Sequence, residues 1–175
     1  MTKIRFSAAA LALAAAPALA QLATPMPSPN ASVTQTFGVT KAEVVYSRPS
    51  VKGRTIWGDL VPFGLADLGY GPCGKECPWR GGANENTVFA VDHDVEIQGK
   101  KLPAGRYGLH FIPGPEEWTV IFSKRSTDWG SFFYDPKEDA LRVPAKPHKN
   151  PSREWLSYEL TDRQLDRATV ELQWR

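Results

Sequence analysis

The chain has 175 residues, 42% of them hydrophobic and 23% charged, with a formal net charge of +2. That length fits one domain with a single core and no need of covalent staples. The charge excess is too small to read as a nucleic-acid footprint.

Lys3 and Arg5 precede an apolar run from Phe6 to Leu19, and Ala18-Leu19-Ala20 supplies the small-x-small pattern of a secretory cut before Gln21. As a helix, Ala8 to Ala20 spans only ~20 Å at ~1.5 Å per residue. The hydrocarbon core of a bilayer is ~30 Å thick, so no membrane span is expected. Residues 1–20 are therefore expected to be a signal peptide. No cysteine stands at the cut and no Arg-Arg pair precedes it, so neither a lipid anchor nor the twin-arginine route is expected. Cleavage takes Lys3 and Arg5 with it, so 21 basic residues become 19 against 19 acidic ones. The mature chain is close to neutral, and its expected place is the periplasm or the medium.

Residues 21–32 carry Pro25, Pro27 and Pro29 among small polar neighbours and read as a flexible lead-in. A single β domain is expected over 33–175. Val33 to Phe37 alternates and is broken by Gly38; Lys41 to Ser47 puts Ala42, Val44 and Tyr46 on one face. Asn86 to Val91 and Asp94 to Ile97 follow, and Gln98-Gly99-Lys100-Lys101 reads as a turn. Arg106 to Ile112 and Glu117 to Ser123, joined by Pro113-Gly114-Pro115, are expected to form an antiparallel hairpin. Leu141 to Lys146, Glu154 to Leu160 and Ala168 to Arg175 complete about nine strands. No window of a dozen residues carries a helical period. With 15 prolines and 14 glycines in the turns, the expected fold is an all-β antiparallel sandwich or open barrel.

The punctuation is specific: Tyr46-Ser47-Arg48-Pro49, Val51-Lys52-Gly53-Arg54, Ile56-Trp57-Gly58 and Leu60-Val61-Pro62-Phe63-Gly64 follow one another. Trp79-Arg80, Gly82-Ala83-Asn84-Glu85, Leu102-Pro103-Ala104-Gly105-Arg106-Tyr107, Glu117-Trp118-Thr119-Val120-Ile121-Phe122, Trp129-Gly130 and Tyr134-Asp135 come after them. In this order the motifs resemble the exported bacterial family called domain of unknown function 2911, from about Ser32 to Trp174. The resemblance implies a β-rich exported protein and no particular activity. Two departures stand out: Leu65 to Pro78 is inserted between the Pro-Phe-Gly turn and the Trp-Arg pair, and the chain stops at Arg175. The second raises the expectation of an open last strand, available for pairing with another chain.

Cys73 and Cys77, the only cysteines, lie in that insertion, and an exported chain makes a local disulfide their expected state. A CxxxC pair alone offers two ligands where zinc takes three or four. A redox pair would want a βαβ setting that is missing. Gly69 to Lys75 superficially fits a phosphate-binding loop, but Glu76 stands where Ser or Thr should ligate magnesium. Asp92-His93-Asp94 reads as a solvated turn, since three adjacent residues there point in different directions. No metal and no cofactor are expected. Asn30-Ala31-Ser32 matches a glycosylation acceptor, which a bacterial-type export signal makes incidental.

The remaining candidates are dispersed: Arg48, Lys52, Arg54, Arg80, Asn84, Glu85 and His110. If their connections meet at one end of the fold, guanidinium forks and an amide suit a carboxylate, phosphate or polyol. Alternatively, Arg80 and Glu85 pair only to stitch loops together. Of six tryptophans, Trp118 and Trp155 are expected in the core, and Trp57, Trp79 and Trp129 are ligand candidates. The leading expectation is a non-catalytic envelope module binding a small anion or polyol, or a partner protein, through Arg48, Arg80, Asn84, Glu85 and His110. The alternatives are a hydrolase or isomerase with Glu85 as general base and His110 as general acid, and an assembly module pairing through its last strand.

Overall fold

A computed structural model describes residues 24–69 and 71–175. The expected signal peptide lies outside the described residues. Among the described residues ten strands are present, all paired antiparallel, with one 3-10 turn at Pro136–Glu138. They are β1 (Asn30–Phe37), β2 (Thr40–Ser47), β3 (Thr87–Val91), β4 (Val95–Ile97), β5 (Lys100–Leu102), β6 (Gly105–Ile112), β7 (Trp118–Ser123), β8 (Asp139–Ala145), β9 (Ser157–Thr161) and β10 (Thr169–Gln173). Among the described residues no helix is long and apolar enough to cross a membrane.

Six strands make one sheet in the order β1-β2-β3-β6-β7-β8. Period-two alternation sorts each strand's side chains between the two faces. Ala42, Val44 and Tyr46 of β2, Phe89 and Val91 of β3, and Tyr107, Leu109 and Phe111 of β6 share the core face. Phe122 and Val143 extend it across β7 and β8. Val44 stands opposite Phe89, Phe89 opposite Tyr107, and Leu109 opposite Phe122, so the apolar rows run straight across the sheet. A one-residue slip of any strand would turn its row to the other face. The β9–β10 hairpin covers this face with Leu156 before it, Tyr158 within it and Trp174 after it, and Ile56 and Val61 close it from the long connection. Tyr46 and Tyr158 meet edge to face at 4.8 Å.

The β6–β7 hairpin forms as the Pro-Gly-Pro turn requires, with Phe111 opposite Val120. Three local expectations need correcting. Gln98 and Gly99 alone make the turn, both in the left-handed region at φ 51° and 76°, so Lys100 and Lys101 already belong to β5. A two-residue turn of that kind matches strand twist. β1 begins at Asn30, ahead of the Val33 start that alternation gave. Trp155 is 39% exposed and does not fill the core; its neighbour Leu156, fully buried, takes that position.

Two features bring connections to one end of the sheet. β6 outruns β3, and Trp79 takes the vacant place beside it, exchanging two backbone hydrogen bonds with Phe111 at 2.7 and 2.8 Å. Ser50 bridges to Trp155, and the Val51 amide donates to the Glu154 carbonyl at 2.8 Å. Residues of the 49–54 and 78–84 segments line one cavity.

Candidate functional site

Val51 to Arg54 is a tight turn closed by the Arg54 amide donating to the Val51 carbonyl at 3.1 Å. Lys52 and Gly53 both lie in the left-handed region, at φ 48° and 68°. Glycine takes that conformation freely; for Lys52 it costs about 1 kcal/mol or more. The turn puts Lys52 and Arg54 on one side of a cleft. The Arg54 guanidinium is fixed by the carbonyls of Ser50 at 2.5 Å and Val51 at 3.0 Å. Lys52 is exposed, and its amide is held by the Glu154 carboxylate at 2.9 Å.

Arg80 faces them from the 78–84 segment. Its guanidinium lies on Gly130, where a Cβ would collide with it, and donates to the Asn84 carbonyl at 2.6 Å. Asn84 presents that carbonyl from a left-handed backbone, φ 59°, which asparagine tolerates better than most residues. Lys52, Arg54 and Arg80 line a cavity of about 500 Å³, with Trp79, Trp174, Ser50 and Ser131 among its walls. Among the described residues no carboxylate lines it.

The indole of Trp79 belongs to a cluster. Trp57, Trp79, Trp118 and Trp174 lie with ring centroids 4.9 to 6.3 Å apart, mostly edge to face, and Phe111 joins them. Edge-to-face contacts of this kind stiffen the apolar wall. The Trp174 indole N–H is buried with no acceptor among the described residues.

Behind the cavity sits His110, on the face of β6 turned away from the main core. It is 1% exposed, its Nδ1 lies 2.9 Å from the Ser131 hydroxyl, and its ring meets Tyr134 edge to face at 5.2 Å. Burial pushes its pKa down to about 4; the Asp128 carboxylate opposes that and the Arg80 guanidinium adds to it. At neutral pH the ring is uncharged and braces Ser131 on the cavity wall.

Of the residues singled out from sequence, the structure brings Lys52, Arg54 and Arg80 together. Arg48 instead donates from Nε to the Leu156 carbonyl at 2.9 Å, tying β2's end to the β9 hairpin. Asn84 serves Arg80 through its carbonyl, and its side-chain amide reaches the Ser28 carbonyl at 3.4 Å. Glu85 is exposed, and neither it nor His110 lines either of the two cavities described. Trp79 lines the cavity, Trp57 backs it, and Trp129 is 55% exposed. Ser131 and Trp174 were not singled out: a lone loop serine carries no pattern, and Trp174 read only as part of a strand.

Cys73 and Cys77 form a disulfide. Ala66 and Cys77 exchange backbone hydrogen bonds at 2.8 and 3.0 Å, and the Cys73 amide donates to the Phe132 carbonyl at 3.2 Å. The insertion thereby becomes a partition. Ala66, Leu68 and Pro78 face the cationic cavity, while Leu65, Pro72, Cys73 and Glu76 face a second cavity of about 640 Å³. That second cavity contains Arg125 and Arg142, but Arg125 is forked onto Asp128 at 2.6 and 3.1 Å and Arg142 bonds Asp139 at 2.6 Å. Asp135 and Glu76 line it as well, so its charge is balanced. Among the described residues no three His, Cys, Asp or Glu side chains gather as a metal site.

Residues 28–175 match the model of a family described as protein of unknown function (DUF2911). No curated protein and no solved structure matches the chain.

Proposed function

The chain belongs to the DUF2911 family, and since that description assigns no activity, we propose from the site alone that this is an exported module binding a small organic anion. The observation that carries the reading is the gathering of three cationic side chains, Lys52, Arg54 and Arg80, on the wall of one cavity. An anion entering this cavity gains charge-assisted hydrogen bonds from these side chains. The fixed guanidiniums of Arg54 and Arg80 lower the ordering cost of binding. Export is supported by the apolar N-terminal run with its small-x-small cut and by the Cys73–Cys77 disulfide, which suits an oxidising compartment.

A thermal-shift panel of acetate, phosphate and phenyl phosphate against glucose and glycerol tests the binding. The anions should raise the melting temperature in wild type and not in Lys52→Gln/Arg54→Gln. Stabilisation by the polyols alone would reject the anion reading. N-terminal sequencing of the protein recovered outside the cytoplasm should begin at Gln21; an intact Met1 would reject export by cleavage.

A further inference from the structure

The cavity is far larger than a bare oxyanion needs. At about 500 Å³ it falls within the roughly 300–1,000 Å³ of small-molecule sites. Much of its remaining wall is apolar: Leu60, Val61, Leu68, Pro78 and Trp79 line it beside Ser28, Ser50 and Ser131. Leu60 is 43% exposed, so apolar surface is left open to water at the mouth. Val61 is nearly buried and the Trp79 ring is fixed among three other indoles, so this wall does not collapse into the space. A second constraint comes from the charge of the wall. A ligand ammonium group would meet the like charges of Lys52, Arg54 and Arg80.

Resting on the anion-binding reading, we infer that the ligand class is an amphipathic organic acid without an ammonium group. Its oxyanion head, carboxylate or phosphate monoester, lies among Lys52, Arg54 and Arg80. Its apolar body of about one ring lies on Trp79, Pro78 and Leu60. Amino acids are excluded from the class by their own charge.

Calorimetric titration of the disulfide-intact chain separates the parts of this inference. The probes are 3-phenylpropanoate, propanoate (head alone), 3-phenylpropanol (body alone) and phenylalanine (ammonium added). The first should bind at least about tenfold tighter than propanoate, the worth of burying part of one ring. It should also bind at least about tenfold tighter than 3-phenylpropanol and phenylalanine, which carry the ring without the net negative charge. Phenyl phosphate binding more tightly than 3-phenylpropanoate would assign the head to a phosphate monoester; the reverse would assign a carboxylate. Leu60→Ser, at an exposed position, should weaken 3-phenylpropanoate about threefold or more and leave propanoate unchanged. Lys52→Gln should weaken both. Equal affinity for propanoate and 3-phenylpropanoate, or for phenylalanine and 3-phenylpropanoate, overturns the inference and leaves the anion site standing. 3-Phenylpropanol binding as tightly as 3-phenylpropanoate, or no anion binding at all, overturns both.

Discussion

Replacing His110 by Gln should remove a specific pH dependence of stability. In the folded chain the imidazole is held neutral by burial, with its pKa pushed to about 4 from the ordinary 6.5. The unfolded chain takes up this proton below 6.5, whereas the folded chain does so only near 4. Between those values the unfolded state binds more protons, so stability falls as pH falls through that window. At about 1.4 kcal/mol per tenfold difference in proton affinity, the full effect is roughly 3 kcal/mol. Set against a typical domain stability of about 5–15 kcal/mol, that is readily measured. Urea denaturation at pH 7.5 and pH 4.5 is the assay. Wild type should lose roughly 2–3 kcal/mol more than His110→Gln over that interval, and the two should share their pH slope above 6.5. Gln keeps a polar partner for the Ser131 hydroxyl, so the comparison isolates the proton. Parallel curves across the acid window, or an imidazole of His110 seen by NMR to titrate near 6.5, would refute the assignment of a neutral, bracing ring.

Gly130→Ala should weaken anion binding several-fold and lower stability by roughly 1–3 kcal/mol, because the backbone is left-handed there and the methyl lands on the Arg80 guanidinium. Calorimetry and thermal melting read the two effects separately, and unchanged affinity would mean that Arg80 does not hold the ligand. Reducing Cys73–Cys77 should lower anion affinity with a stability loss of no more than about 2 kcal/mol, since the short loop it closes braces the insertion whose Ala66, Leu68 and Pro78 wall the cavity. Titration with and without a phosphine reductant checks this; identical affinities would dismiss the partition. Tyr158→Phe should cost about 1 kcal/mol in urea denaturation. Its buried hydroxyl donates to the Gly81 carbonyl at 2.7 Å, and that carbonyl keeps the Thr87 hydroxyl at 3.2 Å.

The sheet was legible wherever alternation met a clean break. β2 announces its core face through Ala42, Val44 and Tyr46, and Pro113-Gly114-Pro115 fixes the β6–β7 hairpin. β5 hid because Lys100 and Lys101 read as turn residues, although each lies opposite a β4 residue in a two-stranded ribbon whose polar face is wet. Trp155 misled for the opposite reason: size argued for the core, while strand parity gave that place to Leu156.

The site was legible only in part. Lys52 and Arg54 share one turn, so their proximity is local and readable, and Arg80 was flagged by its motif. Their meeting depends on Trp79 bridging to Phe111 beyond the end of β3, a pairing between distant segments that no local pattern marks. His110 is polar on a strand whose alternate residues Leu109 and Phe111 are plainly core. Its own burial follows from the segment bearing Ser131 and Tyr134 folding over the other face, which alternation does not foretell. Arg48 sits beside the site in sequence, yet the Leu156 carbonyl claims its guanidinium.

The central claim, an organic-anion site bounded by Lys52, Arg54 and Arg80, is met most directly by a crystal structure of the chain soaked with 3-phenylpropanoate. The account predicts density for the carboxylate among those three side chains, with the ring against Trp79. Density only in the second cavity beside Arg125 and Arg142, or an empty cationic cavity at saturating ligand, would contradict it.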